Sequence, residues 1–514
     1  MTTRSARART ISRGIRGRLG KVAAIAILAL AHGPAEAQTR TLLGTHGWAV
    51  YGTDYSHARD RAVPGDSVLL VAPRAAPGEP WSSGATVAIP SEIAAGEPVT
   101  MVFWARAART TRLDIALQGP APTYARFAST TISLGTRWQR VILRGTAPAR
   151  FAANSQALSV PLGQARTQVA LGPVALLRGA ADDKAIARAF AGFHPPEVAT
   201  DVRIAVEPSV TLAGTLHLPA THGRARVPLV VLIQGHGPNR RGGFPEIVRR
   251  LTAHGIAALE YDKRGIGQST GIYREDVERL TADAAAAVAA MRRRRDIDPR
   301  RIALVGHSQG GVIAPAVAAA DPRIAGIVML AGSVGDGLPY LRRAILNQMI
   351  VAGRPAAPSA TAIDAAITLL QARIDGKDAE TIARLRTTVV DRFEAAGFRR
   401  PEAEAALAMI DTEETRRATR LRSASDLRAL RMPVLAVFAS KDPLVVAADE
   451  APEARKALAQ NPRGTVVVLE GLSHWFQEGA VTGNQEEVAT LGPNAGSPRL
   501  VALVGDWLEA LLNR

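Results

Sequence analysis

RIALVGHSQGGVIAPAVAAA, residues 301–320, decides how this chain is read. The first part is an unbroken apolar run, the pattern of a strand buried on both faces. The last nine residues read as helix. Between them stands GHSQGG, residues 306–311, with Ser308 at its centre. A strand that enters a helix through G-x-S-x-G must turn sharply, which the glycines permit, and the turn holds the serine hydroxyl above the sheet edge in a strained conformation. The plainer alternative is a glycine-rich turn whose serine only caps the helix. Having strand on one side and helix on the other favours a nucleophile.

Such a serine needs a base. The chain has ten His, and His474 alone follows Ser308. In strand–turn–helix units of this kind the acid and then the base come after the nucleophile. His474 sits in GLSHWFQ, residues 471–477, just past the apolar run TVVVLE. Asp442 ends the run PVLAVFASKD, residues 433–442, and is the expected acid, with Asp449 as fallback. Oxyanion donors are expected from the backbone N–H of Gln309 and of His236, the latter in QGHGP, residues 234–238. The side chain of His236 is incidental to this role, and the glycines beside it let the backbone approach a substrate.

Working outward, eight strand-like runs between residues 201 and 471 alternate with helical stretches. Their continuous Val, Ile, Leu and Ala composition predicts a mostly parallel eight-stranded sheet covered by helices on both faces. A helical insertion at about residues 334–430 reads as a cap. Residues 38–180 differ: short runs such as VTMVFWARA, RLDIALQG and WQRVILRG are separated by Gly and Pro turns, which predicts an all-β antiparallel sandwich. Residues 181–200 read as a linker and 201–514 as the α/β domain. Four of the six Trp lie in the sandwich. Trp104 and Trp138 fall in strand-like runs and are expected in the core; Trp48, Trp81 and Tyr124 fall in turns, where they would either stack on a sugar or cover a sheet edge.

Five strings in order carry a family resemblance: GHGP (235–238), YDKRGIGQS (261–269), GHSQGG (306–311), SKD (440–442) and SHWFQ (473–477). Residues 201–514 resemble the α/β-hydrolase superfamily, and more closely bacterial serine carboxylesterases of its serine-peptidase-like branch. The resemblance implies a Ser308–Asp442–His474 triad and structural roles for Asp262 and Arg264. It departs at Asn239-Arg240-Arg241, where the family continues with acidic or polar residues, and the cap offers no recognisable substrate-binding residue. The sandwich resembles, in its order of features, carbohydrate-binding jelly rolls of the family 4/9 type, which implies a carbohydrate partner at Trp48, Trp81 and Tyr124.

Composition narrows the options. Lys and Arg number 63 against 46 Asp and Glu, a net charge of +17. Residues 1–37 hold seven of those cations and one Glu, so a chain starting at Gln38 carries +11, spread among Ala-rich segments. Diffuse charge of this kind does not predict a nucleic-acid groove. The tetra-Arg run at 292–295 reads as a solvated helix end. Cysteine is absent, which removes disulfides, thiolate metal sites and cysteine nucleophiles. No metal or organic cofactor is implied. Basic residues 4–21, the ten-residue apolar run VAAIAILALA and Ala35-Glu36-Ala37 read as a signal peptide cut before Gln38, so export to the periplasm or medium is expected. The run is too short to span a bilayer, and no later stretch approaches the roughly 18 apolar residues of a membrane helix. The leading reading is an exported serine hydrolase acting on a small carboxylic ester. Its competitors are a peptidase or amidase on the same triad, and a glycan-binding protein with an inert hydrolase domain.

Overall fold

The computed structural model describes residues 39–513 except 75, 77, 121, 122, 154–156, 221, 222, 224 and 492–495. The expected signal segment and its cleavage point lie outside the described residues.

Antiparallel strands occupy the first third of the described chain: β1 (Thr39–Leu43), β2 (Ala49–Tyr51), β3 (Tyr55–Arg59), β4 (Ser67–Val71), β5 (Gly84–Ala88), β6 (Pro98–Ala107), β7 (Thr111–Gln118), β8 (Arg126–Leu134), β9 (Gln139–Thr146), β10 (Ala157–Pro161) and β11 (Val169–Arg178). One sheet runs β3-β4-β11-β6-β9 with β1 added on β11; the other runs β2-β5-β10-β7-β8. Their inner faces share a core in which Leu69, Met101, Phe103 and Leu171 of the first meet Val87, Ile115, Leu117 and Leu158 of the second.

β6 explains where its tryptophan goes. Because side chains alternate across a strand, Met101 and Phe103 enter the core between the sheets, while Val102 and Trp104 face outward. That outer face is covered by α1 (Asp183–Phe190), which seats Ala185, Ile186 and Phe190 on it. Trp104 lies edge-on to Phe190 at 4.5 Å. Trp138 just precedes β9, half-buried, with its Nε1 donating to Asp60 at 2.8 Å. Both expected core tryptophans therefore belong outside the inter-sheet core. Trp48 is corrected in the opposite sense: it is buried, donates Nε1–H to the Gly172 carbonyl at 2.8 Å and packs edge-on against Phe103, so it presents no face to a sugar. Trp81 is 69% and Tyr124 44% exposed. The expected linker is also mostly ordered elements, since α1 docks on the sandwich and the next strand starts at Glu197. Its apolar side chains found faces to cover.

The second region contains all eight expected strands: β12 (Glu197–Glu207), β13 (Val210–Pro219), β14 (Val227–Ile233), β15 (Ala257–Tyr261), β16 (Ile297–His307), β17 (Gly326–Leu330), β18 (Val434–Ala439) and β19 (Gly464–Leu469). They form one sheet in the order β12-β13-β15-β14-β16-β17-β18-β19. β13 pairs antiparallel with β12 and β15; every later pairing is parallel. Helices α2 (Pro245–Ala253) and, at the C-terminal end, α13 (Pro498–Leu512) cover one face. The other face takes α3 (Val277–Arg292), α4 (Gln309–Ala320), α10 (Ser423–Ala429) and α11 (Ala447–Ala457). A short α12 (Gln485–Leu491) precedes α13.

The insertion after β17 begins with α5 (Gly337–Val351), α6 (Ala356–Ile374), α7 (Ala379–Ala395), α8 (Arg400–Ile410) and α9 (Glu413–Ala418). Ile363, Leu370, Val389, Phe393 and Leu407 give it a core of its own. α10 is different, because Ala424 and Leu427 join the core of the sheet. The cap thus ends before α10, a few residues short of the sequence-based boundary. Among the described residues no helix is long and apolar enough to cross a membrane.

Candidate active site

Ser308 is the N-cap of α4 and links it to β16. Its φ of 54° and ψ of −117° are costly for a residue with a side chain, on the order of 1–3 kcal/mol. Two backbone bonds hold it there: Ser308 N–H to the Leu330 carbonyl and Gly311 N–H to the Ser308 carbonyl, each 2.8 Å. The flanking glycines have a steric reason. A Cβ at Gly306 would stand 1.9 Å from the Gly310 carbonyl oxygen, and one at Gly310 would stand 2.1 Å from that of Ile233. Only bare backbone lets α4 start so close to β14 and β16.

His474 and Asp442 come from the loops after β19 and β18. His474 Nδ1 lies 2.6 Å from Asp442 Oδ2, and both residues are buried. The other carboxylate oxygen, Oδ1, accepts the N–H groups of Leu444 and Val445, each at 2.8 Å. One oxygen fixed by backbone leaves the other aimed at the imidazole. Asp449, the fallback acid, is exposed on α11 and faces Asn347 instead. Beneath the loop, His307 donates Nε2–H to the His474 carbonyl at 2.9 Å. Burial, together with the nearby His474, pushes the His307 pKa down to about 3, so it remains a neutral donor.

The loop after β14 lies directly against the serine. A Cβ at Gly235 would be 3.1 Å from the Ser308 Cβ. The Gly235 carbonyl accepts from Lys263 Nζ at 2.6 Å and from Asn239 Nδ2 at 2.9 Å. Lys263 also reaches Gln309 Oε1 at 3.1 Å. Burial pushes the Lys263 pKa down, opposed by Glu275 at 3.6 Å, whose carboxylate also accepts the Gly237 N–H. The His236 side chain is 71% exposed. Gln309 opens α4, so its N–H has no carbonyl one turn back within the helix. Asp262 accepts from the N–H groups of Arg241 and Gln268, and Arg264 forms a two-toothed pair with buried Asp283. These bonds tie the 262–268 loop to Arg241 and to α3.

Two cavities meet at Ser308, His236 and Leu444. The first, of about 380 Å³, extends under the cap past Gln309, Val312 and Tyr340. The second, of about 480 Å³, runs past His474, Trp475, Phe244 and Leu500. Among the described residues no group of three His, Asp or Glu is arranged to hold a metal ion.

This geometry has a family behind it. The model of the alpha/beta hydrolase family matches residues 230–490, just over half of the chain. The chain belongs to the α/β-hydrolase family. Among curated proteins, this α/β hydrolase is 34% identical over 121 residues to the quorum-quenching protein AidA of Acinetobacter baumannii, covering 23% of this chain and 39% of that protein. It is 33% identical over 103 residues to the thiohydrolase apmlB of Arthrinium phaeospermum, 20% and 34% of the two chains. The match to the polyketide transferase grgF of a Penicillium species is 33% over 151 residues, 29% and 50%. The chain thus spans a third to a half of the length of these relatives. Among solved structures it is similar to an esterase of Pyrococcus furiosus, at 16% identity and TM-score 0.38, covering 62% of this chain and 92% of that one.

Within this α/β hydrolase, the fold places Ser308 and His236 against both cavities, Gln309 on the first and His474 on the second, and puts Asp442 behind His474. Sequence reasoning missed His307 and Lys263. Both sat inside quoted strings, GHSQGG and YDKRGIGQS, but their partners are carbonyl oxygens distant in sequence, which no pattern marks.

Proposed function

We propose that this protein is an exported serine esterase. Ser308 Oγ attacks the ester carbonyl while His474 takes its proton; the N–H groups of His236 and Gln309 receive the oxyanion. His474 then protonates the departing alcohol, and Asp442 keeps the imidazole in the tautomer this needs. Water, activated by the same histidine, releases the acid. The supporting observation is the 2.6 Å contact from Asp442 to His474, with that histidine lining the same cavity as Ser308.

The proposal extends to the finer features of the sequence: secretion through residues 1–37, and kinship with the bacterial carboxylesterases among the family. Similarity to a protein named a thiohydrolase adds thioesters to the substrates worth assaying.

The test is fluorophosphonate labelling of the full chain beside a panel of p-nitrophenyl esters, acyl thioesters, acetyl sugars and aminoacyl anilides. We expect a single label, absent from Ser308→Ala, and ester turnover reduced by roughly four to six orders of magnitude in Ser308→Ala and His474→Ala. Residual turnover within tenfold of wild type in either variant removes the triad. Anilide turnover matching ester turnover would make it an amidase. Recovery of the exported protein with Gln38 at its N-terminus tests the signal reading.

A further inference from the structure

In the segment that departs from the carboxylesterase pattern, Asn239-Arg240-Arg241, the two arginine side chains reach across to the sandwich. Arg240 pairs with Asp54, the residue before β3. Arg241 is buried and donates from one guanidinium nitrogen to the Tyr55 carbonyl and to Gln268 Oε1, each at 2.8 Å. Its guanidinium carbon lies 5.1 Å from the centre of the Tyr55 ring.

The same segment is held from the hydrolase side. Glu260 Oε1 accepts the N–H groups of Gly242 and Phe244, each at 3.1 Å. The second Glu260 oxygen faces His217 Nε2 at 3.6 Å, and His217 Nδ1 faces Glu197 at 3.1 Å. His57 of β3 lies edge-on to His217 at 6.2 Å and bonds Asp201 of β12 through its backbone N–H and its ring. Residues 240–244 are therefore fixed between β3 and the strands beneath. They continue the loop that carries His236: Asn239 Nδ2 reaches the carbonyls of both Gly235 and His236, and Gln234 Nε2 reaches that of Arg240. Phe244, at the far end, walls the larger cavity.

We propose that the N-terminal sandwich is a built-in positioning element of the active site: Asp54 and Tyr55 hold Arg240 and Arg241, and through them the His236 N–H and the Phe244 wall. Asp54 and Tyr55 are positioning residues and touch no substrate. The inference rests on His236 as an oxyanion donor, the reading given above. It gives a function to the Arg pair and makes the sandwich part of the catalytic unit.

The deciding experiment is a double-mutant cycle in the full chain with Asp54→Ala, Arg240→Ala and both, measured on a small activated ester. Loss of an anchor acting through the oxyanion donor weakens the transition state more than the ground state. We expect Asp54→Ala to lower kcat about three- to tenfold with KM within about twofold. Affinity for a boronic acid, which forms a tetrahedral adduct on the serine, should fall by the factor lost in kcat/KM, while Tm changes little. The double variant should be no worse than the worse single, since the two residues act as one unit, and Asp54→Glu should restore most of the activity. If Arg240→Ala fails to fold, Asp54→Ala with its Asp54→Glu rescue still decides. Unchanged kcat in Asp54→Ala, independent effects in the cycle, or a fall in Tm with kcat per folded molecule unchanged each overturns the inference. Failure of the wild type to label with fluorophosphonate would instead overturn the esterase reading.

Discussion

Lys263 Nζ lies 2.6 Å from the carbonyl oxygen of Gly235, deep beneath the loop that touches Ser308. Across a trans peptide the carbonyl and the next N–H point in opposite directions. Fixing the Gly235 carbonyl toward the buried lysine therefore turns the His236 N–H away from it. The same ammonium bonds the Gln309 side chain, so one cation links the Gly235–His236 peptide to Gln309, the two places from which the proposed oxyanion donors come.

Replacing Lys263 with Met, similar in length but without a donor, should lower kcat on the order of ten- to a hundredfold with a small change in KM, since removing an oxyanion donor outright costs more. Steady-state kinetics with the rate of fluorophosphonate labelling provide the check. Equal labelling rates in variant and wild type would mean that the loop holds its shape without the lysine.

Asp442→Asn should fold normally and lose most activity, about 10⁴-fold by analogy with other triads, because an amide favours the wrong imidazole tautomer. Asp449→Asn should retain near wild-type turnover, since Asp449 is exposed and faces Asn347. The reverse ranking in side-by-side kinetics would reassign the acid.

The two cavities predict separable specificity. His474 lines the larger one; on the proposed mechanism it protonates the leaving alcohol, which would place the alcohol beside Trp475 and the acyl chain beneath the cap beside Tyr340. Trp475→Ala should change relative kcat/KM along a series of alcohols attached to one acid. Tyr340→Ala should change it along a series of acids attached to one alcohol. The expected contrast is about tenfold within the matching series, the effect of a few apolar contacts. Both variants altering both series alike would dissolve the division.

Stability should decline on the alkaline side through His217. Burial alone would lower its pKa, but Glu197 and Glu260 outweigh this and push it up to about 10. The folded state thus holds a proton that an unfolded histidine, near 6.5, gives up. The stabilisation is fully present below about pH 6.5 and is lost progressively as pH rises toward 10. Chemical denaturation of wild type and His217→Gln across that window should show a falling slope in the first and a flatter one in the second. Parallel slopes would mean that His217 is not protonated in the folded state.

Local chemistry was legible in the sequence. Glycine at 306 and 310 around Ser308 and eight apolar runs of strand length follow from steric or periodic rules acting over a few residues, and His474 follows from chain order as the one histidine after the nucleophile. These rules yielded the sheet, the strand–serine–helix turn, and the candidates Ser308, Asp442 and His474. Tertiary structure decided what depends on which surfaces meet. Trp48 turned inward because the sandwich closed over it, and α1 formed because an outer sheet face needed cover. Arg240 and Arg241 met residues 186 positions away. Lys263 and His307 found carbonyl oxygens, which every residue carries and no pattern distinguishes. A buried polar group must be paired, and the sequence states that need, but the partner is whichever group the packing of distant segments brings within reach.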